Sequence, residues 1–262
     1  MKFLIVGDIV GSAGLDRLKE ELPKIITEEK IDYTIVNGEN SANGKGLRVK
    51  EYNYILSLGA DIITMGNHVY YRKEMASEYI KLPKLLIPEN ITNLNANGHV
   101  IETKNGKKIC TINLIGKACM GDKLEQNTSN PFKKIDEILD RVKSENIDYI
   151  FLDFHAEATA EKIAMGYFLD GRVTCVFGTH THVQTADEKI LDGKTAYITD
   201  VGMTGPCDSV IGLKKEIALK RFVSEEYAKY ECCTNHAIFN AIIVTTDDKN
   251  NTPIKIERIN KD

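Results

Sequence analysis

Short apolar runs alternate along the chain with segments whose apolar positions recur three or four residues apart. FLIVG at residues 3–7 is followed by Leu15, Leu18, Leu22 and Ile25, YTIVN at 33–37 by Tyr52, Ile55 and Leu56, and DIITM comes next at 61–65. Compact apolar runs suit buried strands and the wider spacing suits one face of a helix, so their alternation predicts βαβ units. Pro23 falls inside the first helical pattern and, lacking an N–H, is expected to kink that helix or end its first part. From about residue 72 to 125 the chain turns rich in Asn, Gly and Lys, which predicts turns and short antiparallel strands with His99 on a hairpin. KKICTINLIG is the strong strand in that stretch.

Beyond it the alternation resumes. Asn130-Pro131 predicts a helix start, with Phe132, Ile135, Leu139 and Val142 on one face. IDYIFLDF and VTCVFG read as strands buried on both faces, separated by a helix over 157–170 that Gly171 stops. AYITD, AIIVTT and PIKIERI supply further strands, with a short helix at about 214–222. There are no repeats, low-complexity tracts or long linkers, so a single domain over 1–262 with two sheets is expected, residues 72–125 being its more variable part.

Charge and composition narrow the class. Lys and Arg number 34 against 38 Asp and Glu, a net charge of −4, which argues against general nucleic-acid binding. Hydrophobic residues make up 42%, enough for a packed core. The N-terminal apolar run is too short for an export signal, and no stretch is long enough to span a bilayer, so a cytoplasmic protein with no membrane partner is expected. The six cysteines form no C-x-x-C and are expected to be reduced, mostly core residues.

The chemistry collects at the carboxyl ends of the predicted strands: Asp8, Glu39 and Asn40, Asn67 and His68, His155, then His180 and His182. That edge of an open α/β sheet is where ligands bind. Two carboxylates, amides and imidazoles form an N/O donor set suited to Mn, Fe or Zn. Taken singly, Asp8 could cap a helix, NGENSANGKG could be a solvated loop, and His155 could be a hydrogen-bonded core histidine. GTHTH is harder to explain that way, because residues two apart on an extended chain present their imidazoles side by side.

In this order the residues resemble the calcineurin-like metallophosphoesterase superfamily, whose pattern runs D-x-H, G-D, G-N-H-D/E, H, G-H-x-H. Two departures stand out: Val10 replaces the D-x-H histidine, and Glu39-Asn40 stands where an aspartate usually bridges. Those departures, with NGENSANGKG, DFHAEATAEKIAMGYFLDGRV, GTHTHVQTADE and ITDVGMTGPCDSVIG, are similar to the YmdB-like phosphodiesterases. The resemblance spans essentially the whole chain and is weakest at about 70–132.

It implies a four-layer α/β/β/α sandwich with two mostly mixed sheets and a binuclear centre of divalent ions, Mn or Fe first and Zn as a further candidate. Asp8, Asn40 and His182 would hold one ion, Asn67, His155 and His180 the other, and Glu39 would bridge. His68 would stand beside the metals as proton donor to the leaving alkoxide or as stabiliser of its charge. The implied reaction is hydrolysis of 2′,3′-cyclic nucleotides by in-line attack of a metal-generated hydroxide on phosphorus. Without the acid that usually follows His68 (Val69 stands there), another group must orient it. Glu157, Glu161 and Lys162 are candidates for orienting His155.

Tyr70 could stack on a base or simply pack, as could Tyr71. Thr204, Asp208 and Ser209, in the glycine-rich GMTGPCDSVIG, could position phosphate or ribose or serve a structural turn. Other readings are a regulatory nucleotide- or protein-binding protein that retains the metal site with negligible turnover, and a general phosphomonoesterase. A dinucleotide-binding protein fits poorly, because Gly7, Gly11 and Gly14 miss the required spacing and Asp8 would oppose a pyrophosphate. A homo-oligomer is plausible on symmetry grounds alone.

Overall fold

The computed structural model describes residues 1–95 and 97–262. The chain begins with β1 (Lys2–Val6), β2 (Asp8–Ile9), α1 (Gly11–Glu28), β3 (Tyr33–Asn37), α2 (Val49–Ser57), β4 (Ile62–Thr64) and β5 (Leu85–Leu86). Its middle comprises β6 (His99–Lys104), β7 (Lys107–Ile115), α3 (Asp122–Gln126), α4 (Pro131–Val142), β8 (Tyr149–His155), α5 (Thr159–Phe168) and β9 (Cys175–Thr179). β10 (Lys189–Ile190), β11 (Ala196–Ile198), β12 (Met203–Pro206), α6 (Lys215–Val223), β13 (Ala237–Thr246) and β14 (Pro253–Lys261) complete it.

The strands form two sheets. An 8-stranded sheet runs β2-β12-β13-β1-β3-β4-β5, with β14 on β13, and a 6-stranded sheet runs β10-β11-β9-β8-β7-β6. Both are mixed: β1, β3, β4 and β5 are parallel beside an antiparallel β13, and β7, β8, β9 and β11 are parallel between antiparallel edges.

Alternate side chains of a strand face opposite ways, and the core divides accordingly. Leu4, Val6, Val36 and Ile63 pack outward against Leu18, Leu22 and Ile25 of α1 and Ile55 of α2. Phe3, Ile5, Tyr33 and Ile35 face Tyr149, Phe151, Cys175 and Phe177 across the gap between the sheets. Ile112, Leu114, Leu152 and Phe154 meet Ile135 and Ile138 of α4 and Met165 of α5. Three apolar interfaces therefore separate four layers, α/β/β/α.

Where the structure departs from the sequence pattern, tertiary packing is the cause. α1 runs unbroken for 18 residues through Pro23, because Leu18, Leu22 and Ile25 anchor both halves to the sheet. The Pro23 carbonyl accepts the Thr27 hydroxyl at 2.9 Å. Within 72–125 the hairpin forms as expected: β6 and β7 pair through Lys104↔Lys107, and Asn105 and Gly106 take φ of 52° and 74° in a tight turn. The earlier part instead folds into short 3-10 turns at Lys73–Met75 and Tyr79–Lys81, and β5 adds parallel to β4. Ala96, within this stretch, lies outside the described residues.

The helix start at Asn130 is formed as expected, its Oδ1 accepting the backbone N–H groups of Phe132 and Lys133. α5 is shorter than the 157–170 pattern. The cysteines are free, but Cys119 and Cys207 are exposed and Cys232 is half-buried, so they are not mostly core residues. Among the described residues no helix is long and apolar enough to cross a membrane.

Phe151 lies fully buried with its ring centroid 4.6 Å from that of Phe3, at the centre of the inter-sheet layer. Phe151→Ala is expected to destabilise the chain by about 3–5 kcal/mol, measured as the shift in urea unfolding; a loss under about 1 kcal/mol would contradict this account of the core.

Candidate metal centre

The candidate residues lie just beyond the carboxyl ends of β1, β3 and β4 in one sheet and at the ends of β8 and β9 in the other. Along β8, Tyr149, Phe151, Asp153 and His155 alternate onto one face, apolar first and polar at the carboxyl end, while Leu152 and Phe154 point to the helices. The sheets approach closely here. A Cβ on Gly66 would fall 2.2 Å from the His155 ring and 2.4 Å from Glu39 Oε2, so the GNH turn passes the cluster only as glycine.

Two groups of donor atoms converge. In the first, buried Asp8 Oδ1 and Asn40 Oδ1 have no hydrogen-bond partner among the described residues. His182 Nε2 lies 3.9 Å from Asp8 Oδ1 and 3.1 Å from Asn40 Nδ2. In the second, Asn67 Oδ1, Glu39 Oε1 and His180 Nδ1 surround His155 Nε2 at 2.9, 3.1 and 3.0 Å. A single ring nitrogen cannot satisfy three such neighbours, whereas a cation among them can. Glu39 Oε1 also accepts Asn40 Nδ2 at 3.3 Å and so touches both groups. The orphaned oxygens and the crowded imidazole fit divalent ions bound by N and O donors.

Each imidazole has its outer nitrogen tied to an oxygen. Thr179 donates its hydroxyl to Asp153 Oδ1 at 2.6 Å, so its oxygen is free to accept N–H from His155 Nδ1 at 2.9 Å. His180 Nε2 donates to Glu157 Oε2 at 3.0 Å and His182 Nδ1 to the Ile211 carbonyl at 2.9 Å. In the neutral rings these bonds fix tautomers that turn a lone pair toward the cluster, as metal ligation requires; without a cation Glu39 outweighs burial and keeps His155 protonated, its pKa raised to about 9.

The cluster is under electrostatic tension. Burial lifts the Asp8 carboxyl to about 7 against the opposing pull of His182 and His155. Burial also opposes ionisation of Glu39, but the charge and hydrogen bond of His155 win and hold it below the usual carboxylate range. Burial followed by repulsion from His155 drives His180 down to about 3.

GTHTH is not extended. His180 and His182 adopt φ of 100° and 66°, a backbone region unfavourable to histidine. They point to different donor groups, not side by side. Between them, Thr181 donates its N–H and hydroxyl to Asp200 Oδ2 at 3.1 and 2.7 Å. The same oxygen is paired with Lys162 Nζ at 2.6 Å, and both residues of that pair are almost wholly buried. Thus Lys162 fastens the His180–His182 loop, Glu157 orients His180, and Glu161 caps the 117–118 backbone through Lys117 N and Ala118 N; none of the three bonds His155.

His68 stands at the rim. Its backbone N–H reaches Glu39 Oε2 at 3.2 Å, the edge contact of Tyr71 lies 6.2 Å away between centroids, and among the described residues its ring nitrogens bond nothing. Burial, only partly offset by Glu39, pulls its pKa below 6.5. Tyr70 donates its hydroxyl to Asn93 Oδ1 at 2.5 Å. The Thr204 hydroxyl bonds the backbone of Asn240, Ser209 closes a turn between the Pro206 carbonyl and Gly212 N–H, and exposed Asp208 pairs with Lys215. Sequence reasoning overlooked Asp153, Thr179 and Asp200. It also overlooked Lys45, whose ammonium lies 4.6 and 5.4 Å from the Tyr230 and Tyr71 rings and acts electrostatically on His68. The period-two spacing of Asp153 and His155 was the available signal for Asp153.

The four-layer fold and this strand-end cluster define a metallophosphoesterase of the calcineurin-like superfamily. The chain belongs to the YmdB-like protein family, whose model matches residues 4–259. It is 43% identical, over 99% of this chain and 96% of the relative, to the 2′,3′-cyclic-nucleotide 2′-phosphodiesterase of Bacillus subtilis. A crystal structure described as a novel phosphatase from Mycoplasma pneumoniae superposes with a TM-score of 0.91 at 36% identity, covering 99% of this chain and 92% of that one. The 5′-nucleotidase precursor of Thermus thermophilus, at 11% identity and a TM-score of 0.55 over 100% of this chain and 54% of its own, shares the fold.

Replacing Thr179 by Val removes the acceptor that sets the His155 tautomer. Affinity for Mn²⁺, read by competition with a chelating dye, should fall about 10–100-fold; unchanged affinity would show that the hydroxyl does not govern the ligand. Lys162→Met strands Asp200 as a buried, unpaired charge, and denaturant unfolding should register a loss of about 3–5 kcal/mol.

Proposed function

We propose that this chain is a binuclear metal-dependent phosphodiesterase that opens 2′,3′-cyclic nucleotides at the P–O2′ bond. The observation that carries this reading is the pair of converging donor groups with Glu39 between them: Asp8, Asn40 and His182 on one side, Asn67, His155 and His180 on the other. The substrate is supported by the name of the Bacillus subtilis relative, which also indicates cleavage on the 2′ side. When bound, two divalent ions supply Lewis-acid activation of water and, opposed by only two carboxylates, a positive field that attracts a phosphate anion.

The chain's own residues do the rest. Glu157, Thr179 and the Ile211 carbonyl hold the three imidazoles in one orientation, so the donor atoms need little rearrangement during turnover. His68, the rim residue with unengaged ring nitrogens, carries a depressed pKa and is neutral near pH 7. It therefore serves the departing 2′ oxygen as an N–H hydrogen-bond donor, stabilising charge as the bond to phosphorus breaks. Water contributes the new P–O bond and a proton to that oxygen, leaving a 3′-phosphate. Lys45 adds positive charge at the same rim.

The test is turnover of 2′,3′-cyclic AMP by metal-stripped protein reloaded with Mn²⁺, beside 3′,5′-cyclic AMP and p-nitrophenyl phosphate. Selective opening of the 2′,3′ ring is expected, with kcat falling about 10²–10³-fold in His68→Ala. Comparable turnover of all three compounds would instead mark a general phosphoesterase, and turnover of p-nitrophenyl phosphate alone a phosphomonoesterase. No turnover with metal bound would favour a regulatory binding protein.

A further inference from the structure

A cavity of about 380 Å³ opens directly beside the second donor group, bounded by Asn67, Tyr70, Asn93, Met120, Gly121 and Leu124 among others. This lies within the roughly 300–1,000 Å³ range of small-molecule sites. A second cavity, of about 360 Å³ between α1 and α2, is lined by none of the donor side chains. The first is tied to the donor group at two walls. Asn67 places its Oδ1 2.9 Å from His155 Nε2. On the other side the Met120 sulfur accepts the Glu157 N–H at 3.2 Å, and the Glu157 carboxylate holds His180.

The lining is selective in kind. Leu124 is buried and Met120 packs against the same apolar core, giving a soft, polarisable floor. Tyr70 adds a half-buried ring fixed through its hydroxyl to Asn93 Oδ1. Because that oxygen is taken, the Asn93 amide nitrogen is the group left to donate. The walls are braced: Thr92 N bonds the Asn127 carbonyl at 2.8 Å, and buried Asn90 bonds both Ile115 and Ser129. An aromatic ring, a thioether, an aliphatic floor and an amide donor, with Asp122 and Asn127 completing the lining, suit a flat heteroaromatic ring that carries both acceptor and donor groups at its edge.

We infer that this cavity is the nucleobase subsite, with Tyr70 and Met120 packing on the base and the Asn93 amide hydrogen-bonding its edge. The inference rests on the proposed reaction for its ligand class, since it places a base beside a phosphate held at the donor groups. It makes Tyr70 a specificity-determining residue with no part in the bond-breaking step.

The experiment measures equilibrium binding of 3′-AMP and of inorganic phosphate to the Mn²⁺-loaded full chain, wild type and Tyr70→Ala, with Asn93→Ala as second variant. Turnover of 2′,3′-cyclic AMP by the wild type is measured separately. The wild type should bind 3′-AMP at least about tenfold more tightly than phosphate, the scale of one base–aromatic contact. Tyr70→Ala should abolish most of that preference and Asn93→Ala part of it, with phosphate affinity little changed. Equal affinity for the two ligands, or a preference that survives both variants, would overturn the subsite even if turnover is seen. A preference lost in Tyr70→Ala without any turnover would uphold the subsite while removing the proposed reaction.

Discussion

The buried carboxylate of Asp153 is the point where the two sheets and the cluster become one object. It accepts Asn37 Nδ2 from β3, the Thr64 hydroxyl from β4 and the Thr179 hydroxyl from β9. Two of those partners come from the opposite sheet, so a polar contact clamps the sandwich where the apolar inter-sheet layer gives out. Burial raises its pKa, with three hydrogen bonds and the charge of His155 opposing the shift. Such a group is tolerable only when its oxygens are satisfied. Satisfying them through Thr179 has a chemical consequence, since the hydroxyl that donates to Asp153 must accept from His155 and thereby orients a candidate metal donor.

The same logic holds one strand further on. His180 and His182 sit at positive φ, a conformation their side chains do not favour, and the loop does not hold itself there. Asp200, neutralised by Lys162 from α5, grips Thr181 by N–H and hydroxyl, and its other oxygen accepts Gly202 N–H. One buried ion pair thus sets the directions of two candidate donor imidazoles belonging to different groups. A regular strand would have sent both imidazoles to one face, and the bend is what lets neighbouring histidines serve separate sites.

How much of this was legible in the chain follows from the range of each interaction. Strand-end placement of Asp8, Glu39, Asn67, His155 and His180 was visible because apolar runs end abruptly at them. The hairpin at Asn105-Gly106 and the helix start at Asn130 were visible because turn and cap chemistry is local. Continuity of α1 through Pro23 was not, since it depends on the sheet beneath. Nor were the roles of Asp153, Lys162 and Asp200, because Lys162 and Asp200 pair across 38 residues and two of the partners of Asp153 come from across the sandwich. Lys162 was read as a candidate for orienting His155 because its true partner, Asp200, is set beside it only by the folded chain.

The donor set also explains how an acidic chain can build a site for an anionic substrate. Seven strand-end side chains surround the candidate centre, yet Asn40 and Asn67 are neutral amides, leaving two carboxylates against three imidazoles. Without a cation the two carboxylates are held differently: Glu39 is kept ionised by His155, whereas Asp8 is lifted to about 7 with one oxygen unpartnered. Fixed protein dipoles and hydrogen bonds already hold the outer nitrogens, so the folded chain carries the cost of assembling the donors. Divalent cations, one in each group, would relieve the Asp8 desolvation and the crowding at His155 Nε2. Because amides replace further carboxylates, their charge would not be fully cancelled locally. Under the proposed reaction, a positive field would then survive at the rim beside His68 and Lys45.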